Sequence, residues 1–279
     1  MATQIPFVPL SLDQDAVTYA HGPDSTRRDG VRPGESIEFH IDDSRIYPGT
    51  TRRCWIHVPR QYDSEDVASV MLFNDGWWYL DPEGEVRAGV VLDNLIHRGE
   101  MPVTIGVFVD PGVRIGAENP TNRNVEYDGF DDRYAEFLLT EVLPRVSDRY
   151  SVTSDAAMRG ICGGSSGGNA AFTAAWLRPD SFSRVIGFLS SFAQMPDGNP
   201  YPDLIASQPP KPIRVFLQAA HRDEGWDQPE MNWLAENLRV AAALAEAGYD
   251  FRLVLGDGGH SPNHGGVLLP DALRWLWRS

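Results

Sequence analysis

The sequence predicts an α/β fold: a single domain with a mainly parallel central sheet, an antiparallel N-terminal edge and helices on both faces. Three observations carry this reading. Short apolar β-rich runs alternate with amphipathic segments from Ser69 onward, the rhythm of βαβ units joined by right-handed crossovers. The runs are apolar almost throughout rather than at every second position, as expected of strands buried on both faces. Glycine-rich turns follow several of the runs, where an open α/β sheet places its ligands.

The expected strands are Ile37 to Ile41, Cys54 to Val58, Ser69 to Phe73, Val103 to Val109, Ala157 to Cys162, Val185 to Leu189, Ile213 to Gln218 and Phe251 to Leu255. The first two, joined through Pro48-Gly49, suit an antiparallel pair at a sheet edge. Helical spacing covers Tyr134 to Tyr150, Ser166 to Leu177, Glu230 to Ala247 and Gly266 to Trp277. Residues 1–34 are rich in Pro, Gly and Asp without a steady period and read as an N-terminal arm lying over the domain of residues 35–279. The proline-rich stretch 192–211 is long for a loop in a compact domain and reads either as a small cap over the site or as a loop lying on the surface.

At 279 residues with 42% hydrophobic and 23% charged side chains, the chain can bury one sizeable core. A formal net charge of -15 repels phosphate backbones and anionic lipid, which argues against nucleic-acid and membrane-surface partners. Residues 1–17 show neither a basic n-region nor an unbroken apolar run, so a cytoplasmic location is expected. Cys54 and Cys162 read as separate buried thiols rather than a disulfide. A homo-oligomer is compatible with this composition.

The chemistry concentrates after the Ala157 to Cys162 strand. There Gly163-Gly164-Ser165-Ser166-Gly167-Gly168 runs into the apolar segment Ala170-Ala171-Phe172. Strand, G-x-S-x-G and helix in that order form the nucleophile elbow of an α/β-hydrolase, in which small neighbours permit a strained turn that lifts the serine above the sheet. Gly164-Ser165-Ser166-Gly167-Gly168 also fits with Ser166 as nucleophile, but the Ser165 register keeps glycine at two before, two after and three after the serine. A phosphate loop would need a lysine that this turn lacks.

A serine hydroxyl needs a neutral imidazole to take its proton, and in this architecture the base follows the last strand. His260 ends Gly256-Asp257-Gly258-Gly259 there, with His264 as competitor. Their four-residue spacing resembles a zinc pair, yet Pro262 and the glycines predict a loop without a third ligand, so neither metal nor cofactor is expected. The acid should follow the preceding strand. Asp223 comes first in that turn, with Glu224 and Asp227 as alternatives. One oxyanion donor should be the Ser166 N–H, and the turn Asn74-Asp75-Gly76-Trp77-Trp78 offers the Trp77 N–H as the second, with Trp78 as alternative. Trp78, Trp226 and Arg123 are the candidate substrate-binding side chains, beside Trp77, Tyr79 and Trp233 as possible pocket walls and Arg114 or Arg222 as further anion partners. These residues suit a small-molecule ester or lactone that bears an aromatic or other planar group. Acyl transfer to an alcohol on the same triad is the alternative, and a non-catalytic binding protein is the reading from another class.

From Ile37 to Arg278 the chain resembles the enterochelin esterase-like branch of the esterase D superfamily. The resemblance is carried by Asn74-Asp75-Gly76, Ile161 to Gly168, Val215 to Gln218 with Asp223, and Gly259-His260 through His264-Gly265-Gly266 to Trp277. It implies Ser165 as nucleophile, Asp223 as acid and His260 as base, and a serine esterase or lactonase activity, with siderophore trilactones among the expected substrates.

Overall fold

A computed structural model describes residues 4–10 and 17–278; parts of the expected arm, residues 1–3 and 11–16, and Ser279 lie outside them. The strands are β1 Glu35–Ile41, β2 Thr50–Val58, β3 Ser69–Asn74, β4 Thr104–Val109, β5 Val113–Arg114, β6 Arg159–Gly164, β7 Arg184–Phe188, β8 Arg214–Ala220 and β9 Asp250–Gly256. They form one sheet in the order β1-β2-β4-β3-β6-β7-β8-β9, with β5 beside β2. The pairings β1/β2 and β2/β4 are antiparallel, and every pairing from β4/β3 to β8/β9 is parallel. This is the predicted α/β architecture with its antiparallel edge. All eight expected strands form with ends shifted by no more than a few residues, and only the two-residue β5 went unpredicted.

The helices are α1 Gly76–Leu80, α2 Ala88–His97, α3 Arg123–Tyr127, α4 Arg133–Phe137, α5 Leu143–Ser147, α6 Ser166–Leu177, α7 Tyr201–Ser207, α8 Trp233–Glu246 and α9 Pro262–Trp277. Alternating side chains of β3 show why two layers are needed. Val70 and Leu72 enter one core with Phe172 and Trp176 of α6 and Val240 and Leu244 of α8. Met71 and Phe73 enter the other with Leu92 and Leu95 of α2 and Leu269, Leu273 and Leu276 of α9. A strand with both faces covered must be apolar at every position, which is what the sequence displays.

The segment expected as one helix from Tyr134 to Tyr150 is interrupted by a π-turn, Leu138–Val142. Pro144 has no N–H to give the carbonyl four residues before it, and the Leu143 N–H bonds instead to Leu138 O, one residue further back. Residues 192–211 hold a 3-10 turn, Phe192–Gln194, and α7. Tyr201 of α7 is fully buried against Phe172, Trp176 and Phe192, where its ring adds to the core. Only Gln194 of this stretch reaches the site.

The described part of the arm is fastened across α2 and α9. Asp24 bonds to Arg98 at 2.7 Å and also to Arg274, while Asn94 Nδ2 donates to Asp24 O and Thr26 O. Hydrogen bonds from Arg98, and further bonds and charge from Arg274, outweigh burial and hold the Asp24 carboxyl down at about 2. A depressed folded-state pKa contributes stability above the unfolded value and loses it as pH falls through the folded one. Asp24→Asn should therefore lower the melting temperature by a constant amount above about pH 5, and the difference from wild type should close as pH approaches about 2. Thermal melts of both proteins across this range check it; a difference that widens in acid would contradict the arm's ionic fastening.

Candidate active site

Ser165 stands between β6 and α6 with φ 58° and ψ −130°. A non-glycine residue seldom tolerates that region, and its strain persists only where surroundings over-determine it. Here the Ser165 N–H donates to Phe188 O at 2.8 Å, while its carbonyl accepts from Gly168, Asn169 and Ser191 N–H groups at 2.9–3.2 Å. Gly163 cannot carry a side chain, since a Cβ there would lie 2.2 Å from Gly167 O. The repeated glycines of the motif are thus the space into which the first turn of α6 folds back.

His260 and Asp223 reach this serine from the ends of β9 and β8. Ser165 Oγ and His260 Nε2 are 3.1 Å apart, and His260 Nδ1 lies 2.6 Å from Asp223 Oδ1. Asp223 is 1% exposed, and its Oδ1 also accepts the Glu224 N–H at 2.9 Å. Its Oδ2 has no partner among the described residues, so this buried carboxylate gains most from a positive charge on the imidazole beside it. Glu224 and Asp227 are exposed and make no such contact. Trp233, at the start of α8, meets the His260 ring edge-on at 4.9 Å and fixes its outer face. His264 is removed from the site: it is buried, stacked on Tyr19 at 4.0 Å and paired with Gln218, and burial lowers its pKa. Among the described residues no cluster of three His, Cys, Asp or Glu side chains is placed to hold a metal.

The second oxyanion donor needs correction. Asn74-Asp75-Gly76 is not a plain turn but the entry to α1, and Asp75 is left-handed at φ 54°. In consequence the Trp77 N–H donates to Asp110 Oδ1 at 3.0 Å and the Trp78 N–H to Asp75 O at 2.9 Å, so both predicted donors are engaged. The Gly76 N–H, at the first helical position, finds no acceptor among the described residues, and neither does the Ser166 N–H at the start of α6. Trp77 turns its ring to Trp55, outside the site.

Two cavities meet at Ser165 and His260. One, of about 220 Å³, is lined by Trp78, Tyr79, Phe188, Leu189 and Pro262, with Asp75 and Arg123 on its wall. The other, of about 390 Å³, is lined by Gln194, Glu224, Gln228, Met231 and Trp233. Trp78 lines the first cavity. Trp226 lines neither cavity, because the loop after Asp223 folds it outward under the Arg222 guanidinium at 4.5 Å; Trp233 lines the second. Arg114 also lies outside both. Arg123 reaches the first cavity, but Nε and Nη2 bond to the two Asp75 oxygens at 2.7 and 2.8 Å, and Nη2 also to Gly164 O at 3.2 Å. Burial alone would lower the Arg123 pKa; the bonds and charge of Asp75 outweigh it and raise it. Arg123 thereby ties the left-handed entry of α1 to the nucleophile strand, a connection for which spacing offers no signal.

A serine elbow on a mainly parallel sheet, with an imidazole and a buried carboxylate delivered from the next strand ends, defines the α/β-hydrolase class. The Esterase family model, described as "Putative esterase", matches residues 47–274, and the chain belongs to that family. Among solved structures, enterochelin esterase from Shigella flexneri superposes with a TM-score of 0.71 at 21% identity, covering 88% of this chain and 60% of that one. Ferric enterobactin esterase from Salmonella typhimurium gives 0.72 at 19% identity, with 94% and 62% covered. A CE1 ferulic acid esterase from the anaerobic fungus Anaeromyces mucronatus gives 0.68 at 15% identity, with 97% and 98% covered. The chain thus spans about three fifths of the length of the enterobactin esterases and nearly all of the fungal ferulic acid esterase. Among the described residues no helix is long and apolar enough to cross a membrane.

Proposed function

We propose that this chain is a serine carboxylic ester hydrolase that works through an acyl-enzyme on Ser165. The observation that carries the reading is the unbroken Ser165, His260, Asp223 relay at the carboxyl ends of β6, β9 and β8. His260 Nε2 takes the Ser165 proton as Oγ attacks the ester carbonyl, and Asp223 holds the tautomer and steadies the imidazolium. The Ser166 and Gly76 N–H groups receive the oxyanion, with the dipole of α6 behind the first of them. His260 then returns the proton to the departing alkoxide, and the same steps with water release the acid.

The first cavity suits a planar apolar group held against Trp78, Tyr79 and Phe188, and the second, more polar cavity suits the remainder of the ester. Siderophore trilactones, catecholate esters and hydroxycinnamate esters share that chemistry, and the enterobactin and ferulic acid esterases of the same fold favour it. Esters should be cleaved faster than amides, since an alkoxide leaves without the obligatory protonation that an amine needs. We expect aryl and hydroxycinnamoyl esters to exceed straight-chain aliphatic esters in kcat/KM by at least about tenfold, a difference of about 1.4 kcal/mol. A panel of these esters, aliphatic lactones, an iron-free and a ferric trilactone and matching amides checks it. Preference for amides or aliphatic chains would overturn the assignment of the first cavity, and faster transfer to an added alcohol than to water would make the enzyme an acyltransferase.

A further inference from the structure

At the opposite, antiparallel edge of the sheet a second serine, histidine and aspartate stand in line. Ser36 on β1 faces His57 on β2, its register partner, with Oγ 2.9 Å from His57 Nδ1. His57 Nε2 lies 3.0 Å from Asp93 Oδ1 of α2, and Asp93 Oδ2 accepts the Gly34 N–H at 2.9 Å. The imidazole and carboxylate are 4% and 6% exposed, while the serine is exposed. Gly89 lies against the ring: a Cβ there would come within 3.4 Å of His57 Nδ1 and Cε1. The three residues open into a cavity of about 330 Å³ whose walls include Arg27, Trp55 and Trp77.

We infer that Ser36 is a second nucleophile, activated by His57 and Asp93 and able to accept activated acyl or phosphonyl groups in this cavity. The bonds define the required tautomer: His57 carries its proton on Nε2, donates it to Asp93 and presents a free Nδ1 lone pair to the Ser36 hydroxyl. This is the same relay as at Ser165 with the two ring nitrogens exchanged. When Oγ attacks the carbonyl carbon of an aryl ester, the Oγ–H proton passes to Nδ1, the Oγ–C(acyl) bond forms, and the bond between that acyl carbon and the phenolic oxygen breaks, its electron pair leaving on the phenolate. With a fluorophosphonate the Oγ–P bond forms and fluoride departs with the P–F pair. Trp55 and Trp77 offer aromatic faces to a planar leaving group, and Arg27 a positive charge to the departing anion.

The two sites differ in what surrounds the nucleophile. Ser36 sits in an extended strand, not at an elbow over a helix N-terminus, so the donors worth about 10²–10³ in rate at an oxyanion hole are not assembled there. Reaction at Ser36 is therefore confined to donors with good leaving groups and runs far slower than at Ser165.

The test uses the full chain as Ser165→Ala, which silences the first site whatever that site's natural substrate. After incubation with an aryl fluorophosphonate and, separately, 4-nitrophenyl acetate, peptide mass spectrometry should find the adduct on Ser36. Adding Ser36→Ala should remove that adduct and the residual release of nitrophenolate. His57→Gln should slow labelling of Ser36 at least about tenfold, with folding verified in the Ser165-containing protein by unchanged labelling of Ser165. No adduct on Ser36, labelling no faster than at other exposed serines, or labelling that survives His57→Gln in a folded protein would each overturn the inference. Failure of Ser165 itself to label would count against the proposed function and leave this result readable.

Discussion

Replacing Ser165 by alanine is expected to lower kcat by about four to six orders of magnitude on any ester the enzyme accepts, with little change in KM. Ser166→Ala should retain most activity, since only the backbone N–H of that residue is asked to work. The contrast is sharp because the two serines are neighbours and both satisfy the motif, yet only Ser165 has the left-handed backbone and the 3.1 Å approach to His260. Circular dichroism should show both variants folded, and steady-state rates decide: the reverse ranking would move the nucleophile one residue on. The slow reaction assigned to Ser36 sets a floor with activated aryl esters, so the comparison is best made in a Ser36→Ala background.

Asp223→Asn is expected to cost about four orders of magnitude in kcat, with melting temperature nearly unchanged. The exchange keeps shape in a fully buried position, but an amide can offer its N–H₂ to the imidazole and stabilise the tautomer whose Nε2 already bears the proton. Such a histidine cannot accept from Ser165. Glu224→Gln and Asp227→Asn, on exposed side chains, should fall within about twofold of wild type. If either cost more than Asp223→Asn, the acid would be misassigned.

The parts of the site legible in the sequence are those whose chemistry needs small residues or a fixed chain order. Gly163, Gly164, Gly167 and Gly168 announce the elbow because any side chain at the first of them would strike the helix. Asp223 and His260 follow from the order of strands. The strands themselves are legible because a doubly covered sheet demands unbroken apolar runs. What escaped are features decided by tertiary contact. Gly76-Trp77-Trp78 reads as a turn, and only its packing against the end of β4, where a Gly76 Cβ would approach Val109 N to 2.7 Å, shows it winding into a helix that diverts Trp77 to Asp110. The α2 helix lay unnoticed behind charged and glycine-rich neighbours. Trp226, in the loop after Asp223, and Trp233, at the start of α8, stand seven residues apart, and nothing in their spacing says which is turned inward. The Ser36, His57, Asp93 line joins residues from β1, β2 and α2, and becomes visible only when the edge strands are set in register.

The Tyr19 contacts bear on the order in which the protein becomes competent during synthesis. Tyr19 brackets the loop that carries His260: its hydroxyl accepts from the Asp257 N–H and donates to Asp257 O, its backbone exchanges two bonds with Asn263, and its ring lies on His264. A growing chain therefore contains Ser165 before it possesses either His260 or Asn263, the far side of this clasp. Until residues 244 positions apart have met, the loop that carries the proposed base is not clasped, so the acyl transfer proposed at Ser165 has to wait for that contact.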